Sequence, residues 1–140
     1  MDRLTTEQRN FLLGQARTGK LATVRKDGRP HVVPVWYELD GYKLIFTTGE
    51  KSIKAANIRR DPRVCICVDD ETPPFAFMQI EGIADLSANI DELLFWATRI
   101  GGRYMGADLA EAYGKRNGVE GELPVRITPT RIIFEKDIAS

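Results

Sequence analysis

Two Asp-Gly pairs, Asp27-Gly28 and Asp40-Gly41, each stand between runs rich in β-branched and aromatic residues. Gly takes up positive φ at no Cβ cost and Asp tolerates it, so Asp-Gly suits the tight turns whose twist matches antiparallel strands. The spacing predicts strands over residues 21–24, 30–39 and 44–48, joined as a three-stranded antiparallel meander. Pro34 falls inside the second strand. It donates no ladder hydrogen bond, so this strand must lie at an edge or bulge there, and bulges often flank binding sites.

The rest of the chain adds strands and short helices. Thr5-Thr6-Glu7-Gln8 has capping-box spacing ahead of Phe11, Leu12 and Ala16, predicting a short helix that Gly19 stops. A second helix is expected over 52–60, closed by Asp61-Pro62, then strands over 63–69 and 76–86, the latter bent at Gly82. Leu93, Leu94, Ala97 and Ile100 share one face of a helix over 91–100, with Trp96 packing within it. A further helix over 108–116, a loop over 118–121 and a last strand over 125–135 complete the reading. Six strands on short turns with helices between them predict an α+β, mainly antiparallel, small barrel. With 140 residues and neither linker nor repeat, the chain reads as a single domain over 1–140.

The charges sum to zero, 20 Lys and Arg against 20 Asp and Glu, but they are not mixed evenly. Residues 1–63 hold 13 basic and 7 acidic side chains, whereas residues 64–98 hold seven acids and no Lys or Arg. Zero net charge argues against a general nucleic-acid binder, and one His with two Cys cannot build a four-ligand zinc site. The polar N-terminus lacks a signal-peptide core and no apolar run is long enough to span a bilayer, so a cytoplasmic protein is expected. Cys65 and Cys67 lie two apart on a strand, on one face, a poor geometry for a disulfide; they read as small reduced core residues.

Chemistry concentrates in Phe46-Thr47-Thr48-Gly49-Glu50-Lys51-Ser52-Ile53-Lys54, which leaves a strand, turns at a Gly and enters a helix. Helix N-termini present unpaired N–H groups and a positive dipole end. With the hydroxyls of Thr47, Thr48 and Ser52 and the cations Lys51 and Lys54, this is a candidate phosphate cradle. An ordinary Ser52 N-cap with two solvated lysines is the alternative. The segment lacks the Gly-rich Walker pattern of an NTPase. Arg59, Arg60 and Arg63 either stabilise the helix end or extend the cradle into a basic rim. His31 reads as a half-buried strand residue and Asp69-Asp70-Glu71 as a solvated turn. Trp36 and Tyr37 alternate, so one faces the core and the other is free to line a pocket for a flat aromatic ligand. No Ser-His-Asp set or catalytic carboxylate pair assembles, so an enzymatic role would rest on a bound cofactor.

The runs Gly19-Lys20-Leu21-Ala22-Thr23-Val24 and Asp27-Gly28-Arg29-Pro30-His31-Val32-Val33-Pro34-Val35-Trp36-Tyr37 resemble the pyridoxamine-phosphate-oxidase-like split β-barrel superfamily. Thr47-Thr48-Gly49 through Ser52-Ile53-Lys54-Ala55, Asn57-Ile58-Arg59-Arg60-Asp61-Pro62-Arg63-Val64, Arg103-Tyr104-Met105-Gly106, Ala112-Tyr113-Gly114 and Glu122-Leu123-Pro124-Val125-Arg126-Ile127-Thr128-Pro129 resemble its branch that uses the deazaflavin coenzyme F420. The resemblance implies a homodimer of six-stranded FMN-binding-type split barrels, with cofactor sites at the subunit interface. Thr47, Thr48, Lys51, Ser52 and Lys54 would hold the cofactor phosphate, and Pro34, Val35 and Trp36 would lie beside the tricyclic ring. FMN-using oxidases place an Arg directly before the matching Lys; here that position is Ile53, and a strand Arg of theirs is approximately matched by His31. F420 carries a phosphodiester and a polyglutamate tail, which the basic first half suits, with Arg59, Arg60 and Arg126 as candidate tail contacts. The implied function is an F420H2-dependent oxidoreductase that reduces an electron-poor unsaturated small molecule. An FMN-dependent oxidoreductase or flavin reductase and a non-catalytic cofactor or hydrophobic-ligand carrier are the alternatives. In a dimer, the acidic stretch over 64–98 would face basic surface on the partner.

Overall fold

The capping box at Thr5 forms as its spacing predicts: the Thr5 hydroxyl accepts from the Gln8 N–H and the Gln8 side chain accepts from the Thr5 N–H, starting helix α1 (Thr6–Gly14). This is seen in a computed structural model that describes residues 3–87 and 89–140. The helix ends at Gly14, not at Gly19, which instead opens strand β1 (Gly19–Val24). Gly19 is excluded from neither helix nor strand by φ; it is held close against Ile66 and the Tyr37 ring, where a Cβ would collide.

Both Asp-Gly pairs make hairpins. β1 pairs with β2 (Pro30–Val35), and β3 (Glu38–Asp40) pairs with β4 (Lys43–Gly49), with Gly28 and Gly41 at positive φ in the turns. The predicted meander does not form, however. The run from 30 to 39 breaks at Trp36-Tyr37, and its two halves lie at opposite edges of a seven-stranded antiparallel sheet. The sheet order is β2-β1-β5-β6-β7-β4-β3, with β5 (Arg63–Asp70), β6 (Ala76–Leu86) and β7 (Glu122–Glu135) in the middle. Among the described residues the count is therefore seven strands rather than six, and no ladder joins β2 to β3, so the sheet stays open. A flat sheet of seven strands at ~4.8 Å spacing would put its edges about 29 Å apart. The steps from Val35 to Glu38 span at most about 11 Å. The sheet must therefore curl until its two edges stand side by side, with Trp36 and Tyr37 bridging them.

Curling turns one face inward. Leu21, Leu44, Phe46, Ile66, Val68, Met78, Ile80, Val125 and Ile127 fill the interior with Tyr37, and Leu12 of α1 and Ile58 of α2 (Ile53–Arg60) close its ends. Gly82 sits at the register shift between β6 and β7, and a Cβ there would meet the Thr128 carbonyl at 2.6 Å. The predicted bend is thus a bulge. Cys65 and Cys67 are free, as expected, but they alternate with buried Val64, Ile66 and Val68 and so lie half-buried on the sheet's outer face, outside the core.

Helices α3 (Leu93–Met105) and α4 (Ala110–Asn117) pack outside the curled sheet. Leu93, Trp96, Ala97 and Ile100 form the buried stripe of α3, while Leu94 faces solvent. Trp96 and Ile100 cover Ile45 of β4, so β4 is buried on both faces. The two helices meet through small residues, and a Cβ on Gly114 would come within 2.9 Å of the Thr98 Cα. Arg103 at the end of α3 donates to the carbonyls of Tyr37 (2.6 Å), Leu12 (2.6 Å) and Gln15 (2.9 Å). The Tyr104 hydroxyl accepts from the Tyr37 N–H (3.1 Å) and donates to the Arg17 carbonyl (2.7 Å). These bonds fix the break between β2 and β3, whose backbone groups have no ladder partner there.

The uneven charge has an intramolecular answer. Asp69 pairs with Lys20 at 2.7 Å, Asp70 with Arg17 at 3.6 Å, and Glu92 with Arg126 at 2.6 Å. These acids of the 64–98 stretch thus pair with basic residues from either side of it. Among the described residues, no helix is long and apolar enough to cross a membrane.

Candidate functional site

The break between the sheet edges opens a cavity of about 300 Å³ against the outer face of β4. Pro34, Val35 and Trp36 form one wall, Thr47 of β4 and Lys54 of α2 the floor and one end. Ala97 and Ile100 of α3, Asn117 of α4 and Glu122 of β7 complete it. Alternation explains the floor: Phe46 and Thr48 point into the core, so Thr47 points out. Trp36 stacks flat on Tyr104, with ring centroids 5.1 Å apart and planes 3° apart, and Tyr113 flanks it at 6.0 Å. Tyr37 is fully buried in the core. The expected division between the two aromatics holds, with Trp36 as the pocket residue. Burial pushes the Tyr104 hydroxyl up to about 12, so it stays protonated and keeps donating.

The structure sorts the predicted cradle residues. Pro34, Val35, Trp36, Thr47 and Lys54 come together around the cavity. Thr48 and Ser52 act beneath it: their hydroxyls are 2.9 Å apart, and the Ser52 oxygen accepts from the Ala55 N–H at 3.1 Å, capping α2. Ser52 is therefore the N-cap, and these two hydroxyls shape the turn from β4 into α2. Lys51 is exposed on that turn and does not line the cavity. Arg59 donates to the Glu50 carbonyl at 2.7 Å, bracing the same turn from the far end of the helix.

Arg60 lies elsewhere. It donates to the Val24 carbonyl at 3.2 Å and the Asn57 side-chain oxygen at 3.3 Å, within a second cleft of about 660 Å³ on the other flank of α2. Arg25, Lys26 and Arg29 line that cleft with it, and Asp27 is the acid among them. Arg63 closes on Asp61 at 2.7 Å, a pair that holds the Asp61 carboxyl at about 2. Arg126 is occupied: it meets Glu92 through two hydrogen bonds of 2.6 and 2.7 Å and Asp40 through one of 2.8 Å. Three of its five N–H donors, one on each nitrogen, are thus engaged within the chain. Half-buried His31 lies on β2 opposite Thr23, as a strand residue.

Sequence reasoning did not place Glu122, Asn117, Ala97 or Ile100 in the site. They come from elements at least 43 positions after Lys54, and only the apolar stripe of α3 hinted that Ala97 and Ile100 face something. Burial raises the Glu122 carboxyl, and Lys54 partly offsets this. Among the described residues, Thr47, Lys54 and Asn117 make no side-chain hydrogen bond, so their donors are available to a ligand. A phosphate or other anion beside a flat ring is what this set can hold: a cation and polar donors at one end, an indole at the other. Among the described residues, no group of His, Cys, Asp and Glu could hold a metal.

An open, curled antiparallel sheet with this cavity at its split defines a pyridoxamine-oxidase-like fold, a class that binds flavins or related cofactors. Residues 4–135 match the pyridoxamine 5'-phosphate oxidase family, and the chain belongs to it. Among solved structures it is similar to a conserved hypothetical protein of Mycobacterium tuberculosis at 28% identity, covering 97% of this chain and 88% of that one, with a TM-score of 0.82. An F420 reductase is similar at 28% identity over 89% of this chain and 94% of that one, TM-score 0.70. The heme storage protein of Vibrio cholerae shares the fold at 19% identity over 94% of each chain, TM-score 0.71. One fold thus serves different functions, and the site must decide between them.

Proposed function

We propose that this protein is an F420H2-dependent oxidoreductase that reduces an electron-poor unsaturated small molecule. The observation that carries the reading is the cavity itself, which sets the Trp36 wall for a tricyclic ring against Lys54 and Thr47 for a phosphate. Three features favour F420 over FMN. Ile53, where FMN-using oxidases carry an Arg, is 59% exposed and supplies no charge. The basic cleft on the other flank of α2 suits an anionic tail. The similarity to an F420 reductase extends over nearly the whole domain.

The chemistry the bound group would supply is hydride transfer from its ring carbon C5 to an acceptor carbon. The chain's part is to bind and orient: Trp36 and the β2 edge hold the ring plane, and Lys54, Thr47 and Asn117 fix the phosphate end. Ile100, Ala97 and Val35 supply apolar lining beside these polar groups. The biological unit is read as a homodimer. Pro30, Val32 and Pro34 on the β2 edge continue into Ala22 of β1, an apolar strip that begins at the cavity rim and suits a second copy. The test is anaerobic oxidation of F420H2 against enones, quinones and tetrapyrroles. Turnover with at least one acceptor supports the reading. Tight binding with none turned over points instead to a carrier.

A further inference from the structure

Resting on that reading, we infer that Glu122 is a specificity-determining residue: its carboxylate, set beside the phosphate cradle, offsets Lys54 so that the cradle does not favour a doubly charged phosphomonoester over a singly charged phosphodiester. The placement follows from register. Glu122 of β7 pairs with Gly49 of β4, two residues along from Thr47 and on the same face. A Cβ on Gly49 would lie 3.1 Å from the Glu122 carboxylate, so the carboxylate occupies the space that a side chain at 49 would fill. It therefore lies over the turn into α2 and lines the same cavity as Lys54 and Thr47.

The surrounding charges are few. Lys54 faces Glu122 from α2, while Thr47 and Gly49 of β4, Asn117 of α4 and Trp36 between β2 and β3 are neutral. On its own strand, Arg126 is bound to Glu92 and Asp40. With Lys54 and an ionised Glu122 the cradle is close to neutral, and Ile53 adds nothing to it. FMN ends in a phosphomonoester whose second pKa is ~6, so it is largely dianionic at neutral pH. A phosphodiester remains monoanionic. Repulsion from Glu122 scales with ligand charge, so the penalty on the dianion is about twice that on the monoanion in free energy. The fold-effects are then related as a square to its root. Burial raises the Glu122 carboxyl, and Lys54 partly offsets this.

The test is a set of equilibrium titrations of the full chain with FMN and with F420, in wild type and Glu122→Gln, at neutral pH. A unit charge acting across ~10 Å at an effective dielectric of ~20 changes dianion affinity by more than tenfold. Allowing for screening, Glu122→Gln is expected to tighten FMN by about tenfold and F420 by about threefold. Equal changes, or none, overturn the inference while leaving the cofactor reading intact. Absence of binding by both ligands to both proteins overturns the reading and the inference together. A second measurement uses wild type alone. As pH rises from 5.5 to 8, the ratio of the FMN to the F420 dissociation constant should stay nearly constant. With Lys54 acting without Glu122 the ratio would fall, because the growing phosphate charge would then be purely attractive.

Discussion

Lys51 and Lys54 look interchangeable in the sequence, yet the fold gives them different surroundings, and this makes Lys54→Ala the most informative substitution. Lys54 is half-buried and lines the cavity; Lys51 stands exposed on the turn. Lys54 makes no hydrogen bond within the described residues, so its removal should leave folding intact and alter only what the cavity binds. A hydrogen bond to a charged group contributes ~1.5–3 kcal/mol, which corresponds to a loss of about 10- to 150-fold in cofactor affinity. Loss of the facing cation also leaves Glu122 unopposed, so the deficit should be larger for FMN than for F420. Lys51→Ala removes an exposed, screened charge and should cost at most about threefold, an effect that disappears at high salt. Fluorescence titration with F420, paired with thermal melts of each variant, provides the readout. An unchanged dissociation constant for Lys54→Ala, or an equal loss in both variants, would refute the assignment of the cradle.

Trp36→Ala removes the ring stacked on Tyr104 and should weaken cofactor binding about five- to tenfold, from ~1–1.5 kcal/mol of lost aromatic contact. A binding isotherm identical to wild type would show that the ring does not lie there. Arg126→Ala breaks the paired bonds to Glu92 and the bond to Asp40, and should lower stability by ~1–2 kcal/mol after solvent screening. Arg126 holds the Glu92 carboxyl below its ordinary range, so this contribution is present above the unfolded carboxylate range and lost as pH falls through the lowered folded value. Denaturant curves for the two proteins should therefore differ at neutral pH and converge below about pH 4. A constant gap across that range would count against the ion pair as the cause. Gly114→Ala forces a methyl group against the Thr98 backbone and should destabilise by ~1–3 kcal/mol. A melting temperature equal to wild type would mean that α3 and α4 separate without cost.

Local chemistry was readable wherever the decisive atoms lie a few residues apart. The Thr5 capping box, both Asp-Gly turns, the Ser52 cap and the bend at Gly82 all follow from neighbours in sequence. The meander failed because turn residues fix which strands form a hairpin but not where that hairpin sits in the sheet. The break at Trp36-Tyr37 depends on Arg103 and Tyr104, some 66 residues away, which satisfy its backbone groups. The candidate site divides the same way. Residues 34–54 carried recognisable signals, whereas Glu122 and Asn117 reach the cavity only through the curl of the sheet and the packing of α4. Ser52 could be read as either cap or ligand until its hydroxyl was found facing the Ala55 N–H. The basic rim does not form around the cavity, since Arg59 turns back to the Glu50 carbonyl, Arg63 closes on Asp61 and Arg60 lies on the other flank of α2.

If the split in the sheet holds a deazaflavin, as proposed, side-by-side equilibrium titration of the purified chain with F420 and with FMN should give micromolar or tighter binding of F420, with FMN bound at least about tenfold more weakly at neutral pH. Micromolar binding of FMN with no binding of F420 would contradict it.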